Sequence, residues 1–389
     1  MFLGALVGGI IGDKTGRRNA FILYEAIHIA SMVVGAFSPN MDFLIACRFV
    51  MGVGLGALLV TLFAGFTEYM PGRNRGTWSS RVSFIGNWSY PLCSLIAMGL
   101  TPLISAEWNW RVQLLIPAIL SLIATALAWR YFPESPRWLE SRGRYQEAEK
   151  VMRSIEEGVI RQTGKPLPPV VIADDGKAPQ AVPYSALLTG VLLKRVILGS
   201  CVLIAMNVVQ YTLINWLPTI FMTQGINLKD SIVLNTMSMF GAPFGIFIAM
   251  LVMDKIPRKT MGVGLLILIA VLGYIYSLQT SMLLITLIGF FLITFVYMYV
   301  CYASAVYVPE IWPTEAKLRG SGLANAVGRI SGIAAPYAVA VLLSSYGVTG
   351  VFILLGAVSI IVAIAIATIG IETKGVSVES LSIDAVVNK

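Results

Sequence analysis

Hydrophobic residues in this chain run in long, nearly uninterrupted stretches, and the charged residues are gathered into short clusters between them. The apolar runs are about 18 to 28 residues long, and roughly 20 apolar residues suffice to carry a helix across a bilayer. The pattern predicts membrane-spanning helices at residues 20–37, 42–66, 78–103, 111–131, 196–222, 231–253, 261–278, 281–308, 321–344 and 348–370, with an apolar stub at 1–11. The clusters alternate in charge. Lys14, Arg17 and Arg18, then Arg73 and Arg75, the segment 132–195, Lys255 with Arg258 and Lys259, and Lys317 with Arg319 form one set of basic loops. The opposite set holds only Arg111 and Lys229, both at span ends. By the positive-inside rule the basic set, and with it the C-terminus, faces the cytoplasm.

Composition agrees with this pattern: of 389 residues 57% are hydrophobic and 12% charged, with a mean hydropathy of +0.79. So little polar surface excludes a water-soluble globular domain. The net charge of +8 does not point to nucleic acid, because the basic residues flank apolar runs, where lipid headgroups account for them. Cys47, Cys93, Cys201 and Cys301 all lie inside apolar runs, without disulfide spacing or a C-x-x-C motif. With a single histidine and no Cys/His/Asp cluster, no metal site or cofactor is expected, and no nucleophile paired with a base suggests an enzyme.

This topology places Met1 outside the cell, on a stub that reaches about half of a roughly 30 Å hydrocarbon core. A signal peptide would need a basic start and a small-residue cleavage site, and the stub has neither. The expectation is that Met1 is an internal methionine, preceded in the native protein by a first helix and half of a second. The organisation reads as an incomplete helical bundle over 1–131, a cytoplasmic linker over 132–195, a six-helix bundle over 196–370 and a tail over 371–389. Within the linker, Glu140 to Glu157 has helical spacing of Ala148, Val151, Met152 and Ile155 and predicts a short amphipathic helix.

The two halves repeat. Asp13-Lys14-Thr15-Gly16-Arg17-Arg18 recurs as Asp254-Lys255-Ile256-Pro257-Arg258-Lys259, and Glu68-x-x-Pro71 with Arg75-Gly76 recurs as Glu310-x-x-Pro313 with Arg319-Gly320. Parallel halves with substrate held between them are one plan of secondary transporters. Gly9-x-x-x-Asp13-Lys14-x-Gly16-Arg17-Arg18 also resembles the loop signature of the major facilitator superfamily. Pro133-Glu134-Ser135-Pro136-Arg137-Trp138, Glu310-Ile311-Trp312-Pro313-Thr314 and Ile371-Glu372-Thr373-Lys374-Gly375 resemble motifs of its sugar-porter and organic-ion branches. The resemblance covers nearly the whole chain. It implies an all-α membrane protein of two bundles and twelve helices, of which this chain would hold about eleven, with helix 1 missing and helix 2 partial.

Several residues stand out chemically. Asp13, Arg17, Glu68 and Arg75, and their second-half counterparts Asp254, Arg258, Glu310 and Arg319, suit a cytoplasmic gate of charges that forms in one state and breaks in another. Orientation alone would explain the basic members but not the acidic ones. Arg48 lies inside an apolar run, where a charge needs a partner or a watery cavity; the resemblance pairs it with an acid of the missing first helix for proton coupling, and snorkelling to the headgroups is the alternative. His28, three residues from Glu25 on one helix face, is a second proton-handling candidate, or else a hydrogen-bonded helix contact, with Glu25 pairing to the basic loop. Asn207, Gln210, Tyr211, Asn215 and Trp216 form a polar face suited to substrate, beside Pro218, expected to kink the helix; Asn87, Tyr90 and Tyr302 are further candidates. Gly52-x-Gly54-x-Gly56 lies within an apolar run and reads as close helix packing, not as a nucleotide loop.

Aligned on Leu217-Pro218, the resemblance to sugar porters fails at the hydroxyl ligands: Ala205-Met206 and Val209-x-Tyr211 stand where they carry a Gln-Gln pair and Gly-x-Asn, and Cys301-Tyr302 and Ala305 replace Gly-Pro and Trp. This directs the expectation to a proton-coupled symporter of another small metabolite: an aromatic carboxylate, a nicotinate-like acid or an organic cation. A sugar:proton symporter, or a transport-incompetent or sensor-type relative, is the alternative. The partners expected are substrate, protons and the lipid bilayer of the cytoplasmic membrane, and no nucleic acid.

Overall fold

The computed structural model describes residues 1–69, 75–164, 166, 184–253, 255–313 and 316–374. Among these residues the regular structure is helical. α1 (Phe2–Thr15), α2 (Arg17–Ala36), α3 (Met41–Tyr69), α4 (Arg75–Asn87), α5 (Ser89–Leu100) and α6 (Ala106–Tyr131) come first. The short α7 (Pro136–Ser141), α8 (Tyr145–Thr163) and α9 (Tyr184–Leu187) follow. Then come α10 (Gly190–Thr223), α11 (Leu228–Met239), α12 (Gly241–Val252), α13 (Arg258–Ser277), α14 (Met282–Val300), α15 (Val308–Glu310) and α16 (Lys317–Ile369). Eight helical stretches among the described residues are long and apolar enough to cross a membrane.

Each expected span corresponds to helix, with local departures. The 78–103 run is interrupted at Trp88, and the 231–253 run at Phe240. The 321–344 and 348–370 runs meet within α16 at Gly347, whose φ of 65° is open to glycine and breaks the helix direction. α10 continues through Pro218, which lies inside it, to Thr223. The amphipathic helix is α8, longer than expected at its C-terminal end, with Gly164 at φ 64° closing it. Its Ala148 and Val151 pack on Trp138 and Leu139 of α7.

Between α14 and α15, Cys301–Tyr307 form a π-helical segment, a wider turn that inserts an extra residue into the hydrogen-bond ladder. Tyr299, Tyr302 and Tyr307 gather there, with the Tyr302 and Tyr307 rings stacked 5.0 Å apart at 15°.

The described helices form two compact units, residues 1–79 with 103–175, and 80–102 with 176–389. In lipid the apolar effect does not drive helix to helix, so close packing over small residues has to. In the first unit a Cβ on Gly4 or Gly8 of α1 would lie 1.9 Å from the Val53 carbonyl oxygen or 2.6 Å from the Ala57 Cα of α3. In the second, a Cβ on Gly241 or Gly245 of α12 would lie 2.4 Å from the Phe290 oxygen or 2.2 Å from the Thr294 oxygen of α14. Each half thus has one helix seated by a Gly-x-x-x-Gly face. Gly54 of the glycine-rich run in α3 packs on the α2 backbone at Tyr24 and His28, while Gly52 and Gly56 pack on Met1. The second unit also includes Ser80–Pro102, because Phe84, Trp88 and Tyr90 pack on Phe247, Phe240 and Tyr297.

Candidate functional site

Two polar clusters occupy the second unit. The first surrounds Gln210, which is buried on α10. Tyr90 of α5 and Tyr297 of α14 meet edge to face with ring centroids 5.2 Å apart, and Gln210 and Tyr211 are their polar neighbours. The Tyr297 hydroxyl is shut off from solvent and has no hydrogen-bond partner. One turn along α5, Ser94 accepts a long 3.4 Å hydrogen bond from the Asn235 amide of α11, whose Oδ1 is buried without a partner. Open hydrogen-bonding atoms in an apolar bundle are costly unless another molecule completes them.

The fourth side of this cluster is α16. A Cβ on Gly328 would lie 3.0 Å from the Asn207 amide, and one on Gly332 3.1 Å from the Tyr211 ring, so the backbone of α16 runs along the Asn207–Tyr211 face of α10. Between those glycines stands Arg329, half-buried, twelve residues beyond Lys317 and about 18 Å along the helix. Arg329 has no ion pair or hydrogen bond among the described residues. The signal that would have found it is the one that marked Arg48: a charge deep in an apolar run. Ser94, Asn235 and Tyr297 were missed too, each a single uncharged residue in an apolar stretch.

The expected substrate residues divide. Gln210, Tyr211 and Tyr90 come together. Asn207 is buried and donates to the Leu203 carbonyl of its own helix at 2.7 Å, and Asn87 does the same to Ser83 at 2.7 Å. Asn215 is exposed and Trp216 packs against the unit's core. Tyr302 is fully buried in the tyrosine stack beside Gly262 and belongs to the other cluster.

That second cluster lies where α12, α13 and α15 end or begin. Arg258 forms a two-pronged ion pair with Glu310, Nε to Oε2 at 3.0 Å and Nη2 to Oε1 at 3.1 Å, and also donates to the Met253 carbonyl. Thr373 donates to the same Glu310 carboxylate at 2.6 Å. Glu372 accepts from the backbone N–H groups of Arg258 at 2.7 Å and Lys259 at 3.1 Å, capping the N-terminus of α13. The first unit repeats the device: Glu134 accepts from the backbone N–H groups of Arg17 at 2.7 Å and Arg18 at 3.2 Å, at the start of α2. Gly16, at φ 95°, makes the turn there, and a Cβ would fall 2.2 Å from Glu134 Oε2. Where Gly16 has become Pro257 the cap survives, because proline holds an extended residue ahead of α13. The sequence motifs contained both glutamates, but their role depends on residues 114 to 117 positions away.

Of the expected gate residues, Arg258 and Glu310 are paired, Arg17 is joined to Glu134 through its backbone, and Arg319 is half-buried. The side chains of Asp13, Glu68, Arg75 and Asp254 lie outside the described residues. Partial burial raises the Glu372 pKa, but three backbone N–H groups and the Arg258 charge outweigh it and hold it below the usual carboxylate value. A depressed folded-state pKa stabilises above the unfolded value and is lost as pH falls through the folded one. Thermal stability in detergent should therefore decline on acidification below about pH 4.5, and less so in Glu372→Gln; identical pH profiles would contradict the cap.

In the first unit, Arg48 is exposed on α3. His28 Nδ1 lies 3.4 Å from Glu25 Oε2 on α2, so Glu25 pairs with the histidine and not with the basic loop.

Helices long and apolar enough to cross a membrane, with the same capped charged turn in both halves, fit the plan of a membrane transporter. The family model described as "Major Facilitator Superfamily" matches residues 1–336, and the chain belongs to that family. It is 45% identical over 383 residues to the inner membrane metabolite transport protein YdjE of Escherichia coli (strain K12), covering 98% of this chain and 84% of the relative. It is 26% identical over 384 residues to the niacin transporter NiaP of Acinetobacter baylyi, covering 98% and 85%. Among solved structures it resembles the xylose transporter XylE of E. coli in a partially occluded inward-open conformation, with a TM-score of 0.75 over 97% of this chain and 87% of that one at 18% identity. That likeness bears on the fold, which is the all-α membrane fold of the superfamily.

Proposed function

We propose that this protein carries a small aromatic carboxylic acid of the nicotinate type across the cytoplasmic membrane, driven by protons. The observation that carries the reading is Arg329: a guanidinium in mid-span without an ion pair or hydrogen bond among the described residues is expensive in lipid unless it meets an anion or water. In the same unit the phenols of Tyr90 and Tyr297 and the Gln210 amide offer ring stacking and hydrogen bonds for a flat heteroaromatic acid. The niacin-transporting relative supports the same class. The missing sugar ligands count against the sugar:proton alternative, and the Arg329 charge counts against an organic cation.

Alternating access would proceed by one state opening as the other closes, with the Arg258–Glu310–Glu372 cluster on the cytoplasmic side together with the C-terminus, as the basic loops require. The test is uptake of radiolabelled nicotinate into vesicles carrying the protein, with and without an inward proton gradient. Gradient-dependent uptake that nicotinate outcompetes and D-xylose does not is the expected result. Uptake of xylose instead, or nicotinate uptake indifferent to an uncoupler, would overturn the substrate or the coupling respectively.

A further inference from the structure

The proton site is a question apart from the substrate site. α2 spans 20 residues, and Glu25 and His28 each lie eight residues from one of its ends, about 12 Å along the axis. They therefore occupy the middle of a span. Their side chains are 11% and 14% exposed, with His28 Nδ1 3.4 Å from Glu25 Oε2. The surrounding elements hold them there: Tyr24 donates to the Gly8 carbonyl of α1 at 3.0 Å, and Gly54 of α3 packs on the backbone at Tyr24 and His28.

Among the described residues of the neighbouring helices, no charged side chain stands level with the pair. α3 has no titratable side chain from residue 49 to 67, and its Arg48 is six residues from Gly54 and exposed. α6 has none from 112 to 129, its Arg111 and Arg130 standing at the ends. α1 has none from Phe2 to Gly12. As a pair, the carboxylate and the imidazole are neutral with one shared proton. Losing that proton leaves a net negative charge in mid-span, and gaining a second leaves a positive one, each costing roughly 2.5–3.5 kcal/mol on insertion scales.

We infer that Glu25 and His28 form the proton-binding dyad of the transport cycle, a role that rests on the proton-coupled reading above. The pair takes up a proton when its side of the protein is open to the acidic compartment and releases it after the switch. The proton adds to the dyad and leaves it again, and no other bond is made or broken.

Two measurements test this. Infrared difference spectra of the protein in lipid, taken between two pH values without any substrate, should contain a protonated-carboxyl band that is absent in Glu25→Gln and displaced in His28→Gln. A spectrum unchanged by Glu25→Gln overturns the dyad. In vesicles under a gradient of one pH unit, accumulation of nicotinate should fall about tenfold in either variant, the ratio that one coupled proton sustains. Nicotinate exchange at equal pH on both sides should stay within about twofold, which a misfolded or merely loosened helix would not allow, and Glu25→Asp should recover part of the accumulation. Variants that keep full gradient-driven accumulation overturn the inference. If wild type shows the carboxyl band but no gradient-driven accumulation, proton coupling itself fails and the dyad's role in transport with it, while its proton binding stands.

Discussion

Replacing Arg329 with glutamine should lower nicotinate uptake by about tenfold to a hundredfold, the worth of a charge-assisted hydrogen bond of roughly 1.5–3 kcal/mol. The prediction follows from position. Arg329 is half-buried between the two glycines that seat α16 on the Asn207–Tyr211 face, and it has no ion pair or hydrogen bond among the described residues. Glutamine keeps the polarity and much of the length, so a loss reports the charge. Nicotinamide separates this from a general defect, since it has the ring and lacks the carboxylate. Wild type should prefer nicotinate, and Arg329→Gln should discriminate little between the two. Equal preference in wild type, or an unaltered preference in the variant, would show that the acid binds elsewhere. Lysine at this position should restore only part of the uptake, because an ammonium cannot grip a carboxylate with two parallel hydrogen bonds.

The second large effect concerns stability. Glu310→Ala should cost about 3 kcal/mol, because it removes the two-pronged ion-pair partner of Arg258, whose side chain is 6% exposed. Glu310 itself is 35% exposed, so some of the loss is recovered by water. Thr373 loses its acceptor as well. Thermal unfolding in detergent reads the change, and the double replacement of Arg258 by methionine and Glu310 by leucine should regain most of it. If Glu310→Ala unfolds within about 0.5 kcal/mol of wild type, the pair is a surface ornament.

The membrane made most of the fold legible. Lipid leaves no choice but helix for an apolar run of 20 residues, so the spans followed from hydropathy alone. What the runs did not reveal were the interruptions at Trp88 and Phe240 and the break at Gly347, since each lies inside text that is apolar on both sides. The same blindness hid half of the polar cluster. Gln210 was visible because amides on one helix face are rare in lipid, whereas Tyr297 looks like one more aromatic, and Ser94 meets Asn235 only across 141 positions. Arg329 was legible in principle. Asn207, on the same face as Gln210, was indistinguishable from it by period, and only the distance to the Leu203 carbonyl reveals that its amide is already spent.

The π-helical segment at Cys301–Tyr307 stands between Tyr297 and Glu310, and each of those residues serves a different cluster. One residue advances an α-helix by about 100°, so the surplus residue of the wide turn sets the angle between them. Without it, the helix could not present its phenol to Gln210 and its carboxylate to Arg258 at once. The segment works as a phase adjuster: it lets a single continuous rod satisfy two unrelated neighbourhoods, and its length is fixed by both.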